Sequence, residues 1–101
     1  MTKADIVTRI SDKTGMERAD VQATVEAFMK EVRHSLETGD NVYLRGFGSF
    51  ISKKRAEKTG RNISKNTTII IPAHNIPSFK PAKTFVEAVK KKVKVKQTAN
   101  A

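Results

Sequence analysis

The chain has 101 residues, 38% of them hydrophobic, and a formal net charge of +10. It has no cysteine, which excludes disulfides and thiolate metal sites, and no apolar run near the ~18 residues that a membrane span needs. Charged residues also interrupt residues 3–13, where a signal peptide would have its apolar core. These properties predict a single cytoplasmic domain without a membrane span, whose small core is completed by a second subunit.

The charge is unevenly distributed along the chain. Residues 1–40 carry six Lys/Arg against eight Asp/Glu, a net charge of −2. Residues 41–101 carry fourteen Lys/Arg against two acids, Glu57 and Glu87, a net charge of +12. This asymmetry predicts a polyanion partner on one side of the molecule. At this point duplex DNA, RNA and an anionic membrane surface are all open, and nucleic acid is the commonest of them.

The first third of the chain is predicted to form a helical hairpin. Thr2 and Asp5 have the spacing of a helix start, and Thr14-Gly15 marks its end. A second helix runs from about residue 17 to residue 38, because its apolar residues recur at helical spacing. Those residues are Val21, Val25, Phe28, Met29, Val32 and Leu36. This helix has more acids than cations, so we interpret the hairpin as scaffold and dimer interface and not as a DNA groove reader.

The rest of the chain has the pattern of strands followed by one helix. Strands are predicted at 41–44, from 49 onward, and at 67–71, which is rich in β-branched residues. The intervening segment, about 53–68, is a basic hairpin arm. Pro72 and Pro77 favour an edge strand after it. A last helix follows residue 83 and ends near three lysines, 90–92, and residues 93–101 form a basic tail.

Four short motifs follow one another in the second half of the chain. They are Gly46-Phe47-Gly48, Thr59-Gly60-Arg61-Asn62, Ile71-Pro72-Ala73 and Phe79-Lys80-Pro81-Ala82-Lys83. In this order and spacing, with the helical hairpin before them, they resemble the HU and integration host factor family of bacterial DNA-bending proteins. The resemblance covers residues 1–92, nearly the whole chain, and leaves 93–101 as an extension.

The resemblance implies an α+β fold. Its parts would be an N-terminal helical hairpin, a three-stranded antiparallel sheet with a protruding β-ribbon arm, and a short C-terminal helix. Two copies would form an intertwined dimer, most simply a homodimer. Gly46 and Gly48 are expected to let the backbone approach DNA phosphates or the facing subunit closely.

The resemblance also implies a function. The protein would be an architectural, nucleoid-associated protein that binds the minor groove of duplex DNA with little sequence preference, bends it and condenses it. Bent, nicked or gapped DNA would bind best, because less bending energy is then needed. The DNA-binding residues carried over from the family are Lys3, Lys53, Arg55, Lys58, Arg61, Asn62, Ile63, Lys80 and Lys83. Of these, Lys3 has the weakest support, because it alone lies outside the basic part of the chain.

Ile63 departs from the family pattern. The tip of the arm usually has proline after Arg-Asn, and that proline wedges between base pairs. Isoleucine is one of the apolar residues that can unstack a base step in the same way, so Ile63 is our candidate intercalating wedge. Isoleucine lacks the fixed φ of proline, so the tip of the arm is expected to be less preorganised. The strength of the DNA kink is therefore the property most affected by isoleucine at this position.

Two other functions remain open on the sequence. A sequence-specific DNA bender, like a subunit of integration host factor, would prefer a selected site over random duplex. An RNA-binding structural protein would prefer RNA, although only six aromatic residues argue against a base-stacking platform. An enzyme is not expected, and neither is a metal or cofactor, because His34 and His74 lie on different elements without clustered acids. His74 falls on the basic half of the chain, within reach of a phosphate.

Overall fold

The computed structural model describes residues 1–62, 67–93 and 95. Its elements follow the order that the sequence predicts, with a helical hairpin before the sheet and one helix after it. In chain order they are α1 (Lys3–Thr14), α2 (Arg18–Glu37), β1 (Val42–Leu44), β2 (Gly48–Arg55), β3 (Lys58–Asn62), β4 (Thr67–Ile71), β5 (His74–Pro81) and α3 (Lys83–Lys92). The α+β class is therefore confirmed.

The ends of α1 are fixed by local chemistry. The Thr2 hydroxyl accepts a hydrogen bond from the Asp5 backbone N–H at 3.2 Å, and the Asp5 carboxylate accepts one from the Thr2 N–H at 2.9 Å. Such a cap typically stabilises a helix by about 1 kcal/mol. The helix ends at Gly15, whose φ of 76° is left-handed and whose N–H donates to the Ser11 carbonyl. Both predicted ends of the first helix are confirmed.

The strands form a three-stranded antiparallel sheet and a separate two-stranded ribbon. The sheet has the order β1-β2-β5, and β3 pairs with β4 in the ribbon. Pro77 lies on β5, which is an edge strand of the sheet, as predicted. Proline has no backbone N–H to donate, and on the open side of an edge strand no neighbouring strand needs that hydrogen bond. We call β3–β4 the ribbon arm. The molecule is elongated, with extents of 57 × 42 × 29 Å.

The ribbon arm continues the register of the sheet. Arg55 pairs with His74 at the end of the sheet, and Lys58 pairs with Ile71 at the start of the arm. The unpaired stretches between these two pairs, 56–57 and 72–73, have the same length, so the pairing register does not shift. Side chains alternate along a strand and paired residues share a face, so we infer from the equal spacing that each face of the sheet continues into the arm. No residue is inserted at the junction that would exchange the two faces.

We define the two faces by their residues. The inner face includes Phe50, Ser52 and Pro77, which face α2 across an open groove. On the outer face are Ser49, Ile51, Lys53, Arg55, His74, Ile76, Ser78 and Lys80 of the sheet, continued by Thr59, Arg61, Thr68 and Ile70 of the arm. The inner face continues with Lys54, Asn75, Lys58, Gly60, Ile69 and Ile71. The outer face is thus the one turned away from the helices.

Four phenylalanines pack together where the sheet meets α3. Phe79 lies 4.9 Å from Phe50 and 5.2 Å from Phe47 between ring centroids, and Phe85 of α3 lies 5.4 Å from Phe47. These separations are those of favourable aromatic pairs, each worth roughly 1 kcal/mol beyond its buried area. The cluster anchors α3 to the end of β5 and so fixes the position of the residues between them.

Gly48 makes this packing possible. A Cβ on Gly48 would lie 2.6 Å from the Lys80 carbonyl oxygen and 2.6 Å from the Phe79 ring. The sequence did not predict this close approach to β5 of the same chain, and the expected approach to phosphate or a facing subunit stays a prediction. Gly46 is needed for a different reason, since its φ of 80° lies in the left-handed region and nothing is within 4 Å of its Cβ position.

We expect Gly48→Ala to destabilise the protein by about 1–3 kcal/mol, because the methyl group must displace backbone as well as a ring. Gly60→Ala is the matched control, since its Cβ would sit at ordinary contact distance, 3.8 Å from the Ile69 carbonyl. Chemical denaturation at one fixed protein concentration measures both. Equal stability of the two variants would show that the close approach at Gly48 is not restrictive.

The core of the single chain is sparse. Among the described residues, only Val7 and Val21 are buried hydrophobic side chains. An open apolar groove of about 740 Å³ runs between α2 and the inner face. We call it the apolar groove, and the apolar residues that line it include Phe28, Met29, Val32, Leu36, Phe50 and Pro77. So little burial is characteristic of a chain that is stabilised by association.

Candidate nucleic-acid interface

Three of the predicted contact residues converge on the outer face of the sheet. Lys53 and Arg55 belong to β2, and Lys80 belongs to β5, opposite Ser49. All three side chains are exposed. They share a face because every second residue of a strand points to the same side, and the strand pairing places Lys80 on the side of Lys53 and Arg55. Residue composition alone does not reveal this. The result is a positive surface on the side of the sheet opposite to α2.

The ribbon arm divides the remaining predicted cations between its two faces. Arg61 is exposed, pairs with Thr68 and lies on the outer face. Lys58 pairs with Ile71 and lies on the inner face, which also holds Lys54. The sequence-based set treated Lys58 and Arg61 as equivalent, and the structure does not place them together. Asn62 ends β3 opposite Thr67, and Ile63 lies outside the described residues, so its wedge role stays a prediction.

Lys80 and Lys83 border a second concavity, at the end of the sheet. It measures about 460 Å³ and is lined in part by Tyr43, Arg45, Lys80 and Lys83. The α3 helix begins beside it without a side-chain cap at Ala82 and without an acid in its first turn. Exposed N–H groups at a helix start favour an anion. This arrangement suits a phosphate group on the flank of a bound polyanion.

Arg45 is a residue that the sequence-based interpretation missed. It lies in the turn between β1 and β2, and it lines the same concavity as Lys80 and Lys83. The available signal was a cation directly before Gly46, in a turn where little else is bulky. Its proximity to Lys80 depends on the return of β5 to the start of β2, which only the strand pairing shows.

Lys3 lies apart from these surfaces, on the helical hairpin. Its ammonium group forms a salt bridge of 2.8 Å with the Glu26 carboxylate of α2, and both side chains are about half exposed. The hydrogen bond from Lys3 is the main reason that the pKa of Glu26 lies below its usual value, and a hydrogen bond from Gln22 acts in the same direction. To contact a phosphate, Lys3 has to exchange this carboxylate for it.

We expect Lys3→Gln to raise the pKa of Glu26 towards its ordinary value. A carboxyl with a lowered folded-state pKa contributes stability above its unfolded pKa, and that contribution is lost as the pH falls through the folded-state pKa. NMR titration of the Glu26 carboxyl carbon measures the change. Arg33→Gln, which removes a salt bridge to Glu37 on the same helix, is the control and should leave Glu26 unaffected.

The described part of the chain offers neither a cluster of metal ligands nor a membrane-spanning helix. Within it, no group of three or more His, Cys, Asp or Glu side chains could hold a metal ion. None of its helices combines the length and apolar character needed to cross a bilayer. The convergent feature of the described residues is the positive outer face.

Comparison with known proteins gives this geometry a family. The family model described as "Bacterial DNA-binding protein" matches residues 1–90. The chain belongs to this family. It is 41% identical to DNA-binding protein HU of Thermus thermophilus over 91 residues, which cover 90% of this chain and 94% of that protein. It is also 38% identical to integration host factor subunit alpha of Aliivibrio fischeri over 81 residues, 80% of this chain and 83% of the relative.

A solved structure supports the same assignment. The HU chain of an Anabaena HU–DNA cocrystal structure superposes with a TM-score of 0.85 at 33% identity, covering 89% of this chain and 98% of that one. The sequence-based resemblance to the HU and integration host factor family is thus confirmed, together with its fold. HU and integration host factor relatives match at similar identity.

Proposed function

We propose that this HU-family chain is an architectural DNA-binding protein that binds the minor groove of duplex DNA with little sequence specificity, bends it and condenses it. The observation that carries the proposal is the outer face, where Lys53, Arg55 and Lys80 share one exposed surface opposite α2. The charge distribution agrees with this arrangement, because residues 1–40, which form the helical hairpin, carry a net charge of −2 and residues 41–101 carry +12. A duplex lying on the outer face meets the cations and avoids the acidic helices.

Binding of this kind depends mainly on phosphates. Each phosphate neutralised by lysine or arginine releases condensed counterions, so affinity falls steeply with salt concentration. Phosphates carry no base identity, and the minor groove distinguishes little more than A·T from G·C. An interface built from Lys53, Arg55, Lys80 and Lys83, with Arg45 beside them, therefore supports strong binding with weak sequence preference.

The ribbon arm supplies the bending in this proposal. Arg61 and Asn62 would lie in the minor groove near the tip, Lys58 would reach phosphate from the inner face, and Ile63 would enter a base step. Unstacking one step costs a few kcal/mol, and wrapping of the duplex on the cationic surface offsets this cost. Nicked, gapped or already bent DNA should bind more tightly, since part of the deformation is then absent.

We further propose that the functional unit is an intertwined homodimer. The apolar groove leaves Phe28 and Met29 nearly half exposed in the single chain, and both lie on α2 beside the inner face. Identical chains bring identical apolar surfaces, and a two-fold dimer can bury both at once. Two protomers would also supply two ribbon arms, one on each side of a bound duplex.

The remaining parts of the proposal follow from DNA as the ligand. Residues 1–92 form the DNA-binding domain, in which the arm predicted from the sequence at about 53–68 overlaps the ribbon arm, and residues 93–101 add a basic tail. Activity needs no cofactor and no catalytic group, and a protein that binds and condenses DNA in a bacterium acts in the cytoplasm, at the nucleoid. Lys3 contributes where the duplex reaches the helical hairpin.

End-to-end energy transfer on a short random-sequence duplex tests bending. We expect the ends to approach when protein is added, less so at higher salt. Ile63→Ala should reduce the end-to-end approach more than it reduces affinity measured by anisotropy, because the wedge acts on the kink. Ile63→Leu, which keeps an apolar wedge, is the matched control. Equal losses of bending and affinity in Ile63→Ala would contradict the wedge.

The same energy-transfer assay, together with a competition experiment, separates the alternative functions. Bending restricted to a selected sequence would favour a site-specific bender of the integration host factor kind. Tighter binding of duplex RNA than of duplex DNA in direct competition would favour an RNA-binding structural protein. Binding of random duplex without any approach of the ends would indicate a coating protein and would contradict the architectural function proposed above.

A further inference from the structure

The outer face contains one side chain whose charge depends on pH near neutrality. His74 begins β5, is exposed, and pairs directly with Arg55 of β2. Paired residues of neighbouring antiparallel strands have Cβ atoms about 5 Å apart on the same face. His74 therefore lies beside a cation that the proposed function places on DNA phosphate, and Lys53 and Lys80 share that face.

The hydrogen bond of the imidazole determines which of its nitrogens can change state. His74 Nδ1 lies 2.9 Å from the Pro72 carbonyl oxygen. A carbonyl oxygen only accepts, so Nδ1 must carry the hydrogen and donate it, in the neutral ring as well as in the protonated one. Nε2 is then the nitrogen that gains or loses a proton. In the neutral ring Nε2 is an acceptor, and in the imidazolium it is a charged donor.

A phosphate oxygen distinguishes between these two forms. It is anionic and only accepts hydrogen bonds, so it is repelled by the lone pair of a neutral Nε2 and attracted by a protonated one. Arg55 is the charged residue paired with His74. Lys53 lies two residues before Arg55 on β2, opposite Ile76, and Glu57 lies two residues after Arg55, beyond the end of β2. A phosphate bound beside the ring therefore favours the imidazolium over the neutral form.

We propose that His74 and Arg55 form a phosphate-binding pair in which His74 binds DNA as the imidazolium, so that DNA binding takes up a proton at each His74. The inference rests on the proposed function, because it needs the duplex on the outer face. It adds His74 as a binding residue, and it predicts a pH dependence of affinity that lysine and arginine contacts would not produce. Affinity for duplex DNA increases as the pH falls through the range in which histidine titrates.

The chain contains two histidines, which provides a matched control. His34 is exposed on α2, in the helical hairpin and away from the outer face. Anisotropy titrations of a random-sequence duplex between pH 5.5 and 8.5 at constant ionic strength would compare wild type, His74→Gln and His34→Gln. Carboxylates and lysines change charge little within this range, and the α-amino group, which does titrate there, is the same in all three proteins, so a difference between them reports the histidines.

We expect wild type and His34→Gln to bind roughly tenfold more tightly at pH 5.5 than at pH 8.5, and His74→Gln to lose most of that difference. With one added phosphate contact per protomer, the slope of log affinity against log salt should steepen by about 2 per dimer at low pH in wild type and not in His74→Gln. His74→Lys, which is charged throughout, should bind tightly and independently of pH.

Several outcomes would overturn the proposal. A pH response that persists in His74→Gln, or one that disappears in His34→Gln, would assign the proton elsewhere. A wild-type protein that binds duplex DNA equally well at every pH would disprove the pair and leave the proposed function standing. Failure of all variants to bind duplex DNA at any pH would disprove both. Circular dichroism at pH 8.5 verifies that His74→Gln is folded.

Discussion

Phe28→Asp is expected to abolish the native assembly and, with it, most of the folded structure. Phe28 lines the apolar groove on α2 and is 46% exposed in the single chain. In the proposed dimer a second copy covers this surface, and an unpaired carboxylate there costs about 3–5 kcal/mol per site. Two such sites occur in each dimer, and the whole stability of a small protein is roughly 5–15 kcal/mol.

Sedimentation and far-UV circular dichroism measure this effect together. Wild type should sediment at twice the chain mass of 11.2 kDa, with an unfolding midpoint that rises with protein concentration. Phe28→Asp should show neither the dimer nor the full helical signal. Lys30→Asp is the control, because it places the same carboxylate on α2 at an exposed position that does not line the apolar groove. A stable, helical monomer of Phe28→Asp would contradict the idea that the partner completes the core.

Local signals explain why so much of the fold could be predicted from the sequence. The reciprocal cap at Thr2 and Asp5, the left-handed Gly15 and the β-branched run 67–71 each act within a few residues of themselves. The apolar spacing on α2 likewise depends only on helical geometry. Such features form whatever the rest of the chain does, and the predicted elements accordingly match the structure closely.

The distribution of the site residues over two faces could not be predicted in that way. Lys53 and Lys54 are adjacent and chemically identical, and a shift of one residue in pairing would exchange their faces. Their assignment depends on the pairing of Arg55 with His74, nineteen positions away in the sequence. The salt bridge between Lys3 and Glu26 and the contact of Gly48 with β5 are equally long-range. Composition identifies the charges, and only the register shows where they point.

The face assignment leads to the prediction with the largest effect on DNA binding. Lys53→Gln/Arg55→Gln removes two cations per protomer from the outer face, and Lys54→Gln/Lys58→Gln removes two from the inner face. The two double variants have the same net charge, and their residues are close in sequence, on β2 and at the start of β3. A response to overall charge alone would therefore be identical in both, and a difference between them reports the side on which the duplex lies.

We expect the outer-face variant to lose about four phosphate contacts per dimer, which lowers the slope of log affinity against log salt by roughly 3–4. Near physiological salt this corresponds to an affinity loss on the order of a hundredfold or more. The inner-face variant should lose much less, because Lys54 lies on the side of the helices and only Lys58 reaches the duplex. Anisotropy titrations at several salt concentrations provide both quantities. Equal losses would mean that the duplex contacts both faces of β2 and the ribbon arm. The arm would then be enclosed by a groove of the DNA instead of lying along it with one face.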